Sequence, residues 1–266
     1  MTQGVCGRPL PAQRLASLRS FLRSRPEAIV DLVSLAERFE VSTQTIRRDL
    51  AMLEADGVVQ RTFGGAVIQP ATQRFEPGIE ARRAEAAGPK AVIGRAAQDL
   101  LIDGEEAYFD ASTTVLALVQ RVPEQWSGNA TTSSVPAAQE LSARNAGRIT
   151  LLGGEYRRSS QCVGGSASIA QIAHLRFTTA YLSCRAFSLR HGLTEARPDE
   201  AALKRAVIEH AQRIVMLVDS SKIESVSAHH FADLLEIDIL VVDDHAPAHV
   251  IDQLRNKGVN VILAPT

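Results

Sequence analysis

Two arginines stand side by side at Arg47 and Arg48, inside the run VSTQTIRRDL at residues 41–50. Neighbouring residues on a helix point about 100° apart, so such a pair is badly placed to share one carboxylate. With Ile46 set at zero, Leu50 and Leu53 fall in one narrow arc and form the inward stripe. Gln44, Arg48 and Ala51 lie opposite, with Thr45 and Arg47 on the flanks. A slim polar face of this kind suits the major groove of duplex DNA, where Arg makes paired bonds to guanine and Gln to adenine. Ser42, Thr43 and Thr45, with the free N–H groups of the helix start, suit phosphate oxygens. The plainer alternative is a solvated surface on which the arginines pair with Glu40, Asp49 or Glu54.

A second group of polar residues recurs where apolar runs end. The run EAYFD ends at Asp110 and leads to Ser112, Thr113 and Thr114 at a helix start. Hydroxyls, unpaired N–H groups and the helix dipole converge there on an anion, although simple capping would use the same residues. Thr132, Ser133 and Ser134 follow another strand. LLGGEYR brings Gly153, Gly154 and Arg157 to a third, and DSSK sets Ser220 and Lys222 after IVMLV. Of 29 basic residues only Lys90, Lys204, Lys222 and Lys257 are lysines, as though a compact point charge were kept for particular places. Lys204 stands four residues after Glu200, a spacing that also fits a surface ion pair. Taken together, these residues predict a small, phosphorylated, hydroxyl-bearing ligand outside the carboxyl ends of parallel strands. Asp110, Glu200 and Lys204 have the right types for acid–base work, but no tight catalytic constellation accompanies them.

The elements that hold these residues follow from periodicity. Leu15, Leu18 and Leu22 mark a helix over 12–24, ended by Pro26. Asp31 caps a second helix through LVSLAERF, and Ser42 caps a third that runs to Ala55. After Gly57, VVQRTFGGAVI reads as a hairpin turning at Gly64 and Gly65, with Arg61 on its first strand. Three helices and a hairpin make a winged helix-turn-helix over residues 11–68. Residues 69–89 read as a linker with a short helix at EARRAEAA. Residues 90–266 alternate helix and strand, with helices at 90–101 and 199–212 among them. Near-continuous apolar strands predict one parallel-rich sheet covered by helices on both faces.

Composition limits the alternatives. The 266 residues are 45% apolar and carry a net charge of −1, so overall charge does not mark a nucleic-acid binder. Residues 1–68 hold nine Arg against seven acids, a mild basic excess. Three scattered cysteines give neither a disulfide framework nor a zinc site. Neither a secretory h-region nor a membrane-spanning run is visible, which predicts a cytoplasmic protein without membrane partners. No metal and no cofactor are expected.

The stretch LAERFEVSTQTIRRDLAMLEADGVVQRTFGGAV resembles the DNA-binding signature of the DeoR family of bacterial transcription regulators. Glu40 departs from it, because a residue tolerant of positive φ is usual in that turn. DASTT, LLGGEYR, GLTEARPDEAALKRA and VDSSK are similar to the sensor-domain motifs of the same family. The resemblance covers about residues 11–266 and implies a sensor fold like that of ribose-5-phosphate isomerases. It also implies that Asp110, Ser112, Thr113, Thr114, Lys204 and Lys222 line a pocket for a phosphorylated sugar or related effector. Two departures bear on the ligand: Ser133 stands where Asn is common, and SCRAFS replaces a Gly- and Asp-containing loop, setting Arg185 beside the pocket. The implied function is a non-enzymatic, ligand-modulated regulator, a repressor of a carbohydrate or related catabolic operon. Its partners would be double-stranded operator DNA, the effector, and further copies of itself in a dimer or higher homo-oligomer. The alternatives are a sugar-phosphate isomerase-like enzyme with an appended helix-turn-helix, or a winged helix that contacts protein or RNA.

Overall fold

Asp31 ends a three-residue strand, β1 (Ile29–Asp31), and caps the helix that follows, α1 (Leu32–Arg38): its Oδ1 accepts from Val33 N and Ser34 N, each at 2.9 Å. The computed structural model describes residues 14–15, 17–18, 21–22, 29–55, 59–62, 65–68, 78–144 and 147–266. The chain divides into two units, Met1–Ala81 and Arg82–Thr266.

In the first unit, α1 leads through a turn to α2 (Thr43–Ala55), then to the antiparallel pair β2 (Val59–Thr62) and β3 (Gly65–Ile68). β1 adds to the other edge of β3, giving the order β1-β3-β2. The β1 strand is absent from the sequence expectation, because three residues running directly into a cap carry no alternation. The described residues among 14–22 are helical. Leu18 and Leu22 are fully buried with Leu35, Ile46, Leu50 and Leu53, the predicted stripe of α2 among them. The expected helix stops at Pro26 and Gly57, and the Gly64 part of the hairpin turn, lie outside the described residues.

The second unit begins within α3 (Ile79–Ala84), and α4 (Ala87–Gln98) follows. Helix α4 starts before the expected 90, with Pro89 in its first turn, where a missing N–H does no harm. Next come β4 (Glu106–Phe109), α5 (Thr113–Val119), β5 (Asn129–Thr132), α6 (Val135–Ala143) and β6 (Ile149–Leu151). A hairpin of β7 (Glu155–Arg157) and β8 (Cys162–Gly164), then α7 (Ser166–Ile172), lead to β9 (Phe177–Leu182). A second hairpin, β10 (Ala186–Ser188) and β11 (Gly192–Glu195), precedes α8 (Pro198–Glu209). The chain closes with β12 (Ala211–Val218), β13 (His229–Ala232), β14 (Ile239–Asp243), α9 (Ala248–Asn256) and β15 (Asn260–Ala264).

Seven parallel strands form the main sheet in the order β15-β14-β12-β9-β4-β5-β6. Along them the side chains alternate between two cores. Ile214, Met216 and Val218 of β12 face α7, α8 and α9, whereas Val215 and Leu217 face α4, α5 and α6. That period of two places apolar residues on both faces, so the strands read as continuous apolar runs. On the second face α4 and α5 approach closely at Gly94, where a Cβ would lie 2.5 Å from the Ala117 carbonyl oxygen. The expected helix over 199–212 ends at Glu209, because residues from Ala211 onward pair with β9 from Phe177.

Candidate functional site

Helix α2 is fixed from inside. Ile46, Leu50 and Leu53 are buried, and Asp49 turns inward to bond Arg14, Nε to Oδ2 at 2.7 Å. At its start Ser42 Oγ accepts from Thr45 N at 3.1 Å and touches Thr45 Oγ1 at 2.9 Å. The turn before it passes through Glu40 at φ 51°, the left-handed region that the sequence flagged. Outside, Ser42, Thr43, Gln44, Arg47 and Arg48 are exposed and Thr45 is half-buried. Among the described residues Arg47 and Arg48 make no ion pair, and the acid nearest in sequence, Asp49, is engaged by Arg14. Arg61 lies on β2 opposite Ala66. The helix thus presents two unpaired cations and an amide above a wholly internal apolar edge.

In the second unit the order of the main sheet reverses between β4 and β9: from β4 the chain proceeds outward to β6, and from β9 outward to β15. Ligand crevices of open parallel sheets lie at such a point, beyond the carboxyl ends of the strands. Asp110, just after β4, and Ser183, just after β9, meet there, with Ser183 N donating to Asp110 Oδ2 at 3.2 Å. Lys204 of α8 enters the same place. Its Nζ lies 2.9 Å from Asp110 Oδ2 and donates to Glu195 Oε1 and to the Ser183 carbonyl, both at 2.6 Å. All three ammonium protons therefore have acceptors. Burial opposes the charge of Lys204, but Asp110 and Glu195 outweigh it and hold its pKa above the ordinary lysine value. The sequence suggested a possible surface pair with Glu200; instead Lys204 is buried against Asp110 and Glu195. Glu200, with Asp199, bonds the Arg157 guanidinium of β7.

Beside this trio, after β12, Asp219 is 1% exposed and its Oδ2 has no hydrogen-bond partner among the described residues. Ser221 Oγ donates to its other oxygen. A buried carboxylate oxygen left without a donor costs about 1–3 kcal/mol or more, so this oxygen is a ready acceptor for a further donor. Lys222, half-buried in the same turn, donates its N–H to the Asp219 carbonyl at 3.0 Å, while its ammonium makes no hydrogen bond or ion pair among the described residues. Cys184 is buried with Glu195, Lys204, Asp219 and Lys222 as electrostatic neighbours, and burial pushes its thiol pKa up. The thiol is therefore protonated and inert, and the chemistry of the place belongs to carboxylates and ammoniums.

The other strand-end residues are arranged more locally. Ser112 caps α5, accepting from Val115 N at 3.0 Å, and Thr113 Oγ1 contacts the Arg82 carbonyl at 3.5 Å. Thr114 is buried. Thr132 Oγ1 donates to the Phe109 carbonyl at 2.6 Å, and Ser133 Oγ lies 3.3 Å from Tyr108 OH. Gly153 N donates to Gln171 Oε1 at 3.0 Å, and Gly154 holds φ 151°, where a Cβ would collide with the Gly164 carbonyl. Ser220 N donates to Asp243 Oδ2 at 2.6 Å. Arg185 N donates to the Thr194 carbonyl at 3.1 Å, while its half-buried side chain has no partner among the described residues. Direct contacts thus join Asp110 to Lys204, and the electrostatic neighbours of Cys184 extend the group to Lys222. Glu195 completes the trio and was absent from the sequence-derived candidates. Its one sequence signal is its place in GLTEARPDEAALKRA, three residues before the proline that opens α8. Among the described residues, no group of three or more His, Cys, Asp or Glu is placed to hold a metal, and no helix is long and apolar enough to cross a membrane.

Residues 25–72 match the DeoR-like helix-turn-helix domain, and residues 85–244 match the DeoR C-terminal sensor domain. The chain belongs to the DeoR family. Similar DeoR relatives include a putative aga operon transcriptional repressor of Escherichia coli O157:H7, 33% identical over 91% of this chain and 90% of that protein. The HTH-type transcriptional repressor GlcR of Bacillus subtilis is 30% identical over 94% of this chain and 95% of its own length. GlpR of Haloferax volcanii, an HTH-type transcriptional regulator, is 30% identical over 95% and 98%. Among solved structures, ribose 5-phosphate isomerase A of Methanocaldococcus jannaschii matches at 15% identity and a TM-score of 0.38, over 50% of this chain and 53% of that one. A likeness so distant carries no argument about activity. As a DeoR protein the chain is a DNA-binding transcription regulator rather than an enzyme, and it joins a helix-turn-helix to a sensor domain built on a parallel sheet.

Proposed function

We propose that this DeoR regulator represses a carbohydrate or related catabolic operon and that a phosphorylated sugar, or a metabolite like it, sets its grip on operator DNA. The observation that carries the ligand half is the group at the sheet's reversal point. Among the described residues, the half-buried Lys222 ammonium has no partner, and the buried Asp219 carboxylate has one oxygen without a donor. A phosphoryl group satisfies the first and a sugar hydroxyl the second. In this reading Lys204 holds Asp110 and Glu195 in place as hydroxyl acceptors, and Arg185 adds a further cation near the pocket. The DNA half rests on the outward face of α2, with Arg47, Arg48 and Gln44 directed to base edges and phosphates. The names of the aga and GlcR relatives favour repression. Two recognition helices reading two half-sites require at least a dimer.

A coupling of about 1–3 kcal/mol between ligand and DNA changes operator affinity roughly 5- to 150-fold. The test is a gel-shift titration on the DNA upstream of the protein's own gene, with excess competitor, two salt concentrations and a panel of sugar phosphates. A competitor-resistant band released or strengthened by one sugar phosphate is the expected result. A specific band indifferent to every phosphorylated compound would reject the ligand assignment.

A further inference from the structure

Lys90 lies in the first turn of α4 and is 5% exposed. Its ammonium donates to the carbonyls of Arg82 and Glu85, each at 2.5 Å. These carbonyls belong to the C-terminal end of α3, where no helical amide reaches them. Thr113 touches the same Arg82 carbonyl from the start of α5. The electrostatic neighbours of Lys90 are Asp219 and Lys222 of the strand-end group, together with Glu85 and Arg82. The end of α3 that Lys90 holds is thus also touched by Thr113 of the strand-end group, and the ammonium feels the charges of that group.

A purely structural role explains this arrangement poorly. Two backbone carbonyls could be satisfied by a neutral donor, without the desolvation of a full charge. Among the described residues Lys90 has no carboxylate within ion-pair distance, and burial accordingly lowers its pKa. Its third donor position is open to another acceptor.

We propose that Lys90 is the positioning residue through which occupancy of the strand-end site reaches the linker. With no anion beside Lys222, Lys90 locks the last turn of α3. An anionic ligand there competes for the same ammonium and loosens its hold on the Arg82 and Glu85 carbonyls. Helix α3 has six residues, too few to persist without tertiary support, so it frays when released. The chain runs from this stretch back to the helix-turn-helix. The proposal rests on the reading of the strand ends as a ligand site.

Hydrogen exchange on the full chain tests it, comparing wild type, Lys90→Met and Lys90→Arg in inorganic phosphate and in chloride of equal ionic strength. In chloride, the segment 79–89 should exchange about tenfold faster in Lys90→Met, and close to wild type in Lys90→Arg, which keeps the charge and donors. In phosphate, wild type should become protected at 110–114 and 219–223 while 79–89 speeds up, and Lys90→Met should show no further change at 79–89. If Lys90→Met does not fold, Lys90→Gln supplies the comparison. Protection at the strand ends with 79–89 unmoved overturns the coupling, as does wild-type exchange at 79–89 in Lys90→Met. Absence of any strand-end protection by phosphate overturns the ligand-site reading instead, and the coupling falls with it.

Discussion

Replacing Lys204 by Met keeps the length of the side chain and removes its charge. Its Nζ lies 2.6–2.9 Å from Asp110, Glu195 and the Ser183 carbonyl, and both carboxylates are 4% exposed. Without the ammonium, the buried carboxylates of Asp110 and Glu195 both lose the cation that they share, a change that costs about 3–5 kcal/mol. Total stability of a domain is about 5–15 kcal/mol, so a large share disappears. The pH dependence changes as well. In the wild type the folded pKa of Lys204 is raised, so its contribution is complete below the ordinary lysine value and fades only as pH climbs beyond it. The variant lacks that ammonium, so its stability gap to the wild type should hold steady between about pH 7 and about pH 10 and narrow only above that. Urea unfolding followed by circular dichroism across that range measures both effects. Adding Asp110→Asn and Glu195→Gln to Lys204→Met should recover most of the loss, since no unpaired charge is then left. A single variant within about 1 kcal/mol of wild type would refute the buried trio.

Two further outcomes are expected. Arg47→Ala and Arg48→Ala should each weaken operator binding in a gel shift: the base-reading arginine loses about 1–3 kcal/mol of discrimination, and a phosphate-contacting one lowers the salt slope by about one instead. Equal affinity of both variants and wild type for the operator would exclude α2 as the reading element. Glu40→Gly relieves a left-handed non-glycine backbone at φ 51° and should raise the stability of the first unit by about 0.5–1 kcal/mol after the extra freedom of the unfolded chain is counted. A drop in its thermal midpoint would show that the Glu40 side chain contributes more than the strain removes.

Several of these features could be read in the sequence because a single residue or a short period determines them. Ile46, Leu50 and Leu53 share a face by helical geometry alone, and Asp31 has the acceptor that a helix start requires. The apolar strands follow from helices on both faces of a parallel sheet. What could not be read depends on partners far apart in the chain. Lys204 pointed to Glu200, four residues away, yet its acceptors arrive from β4, the end of β9 and the end of β11. Arg157 similarly finds Asp199 and Glu200 more than 40 residues on. The short strands β7, β8, β10, β11 and β13 have three or four residues each, too few to establish an alternation. Ala211 and Gln212 suit a helix by local propensity, and only their pairing alongside β9 makes them strand.

The division of α2 into two edges has a consequence for how such a protein changes its target. Ile46, Asp49, Leu50 and Leu53 are all directed inward, the charged one held by Arg14. Gln44, Arg47 and Arg48 answer to nothing inside the described molecule. The outward residues can therefore be rewritten without disturbing the fold that carries them. A set of variants at 44, 47 and 48 should contain proteins that fold alike and address different operators, so new DNA specificity can be reached one exposed side chain at a time.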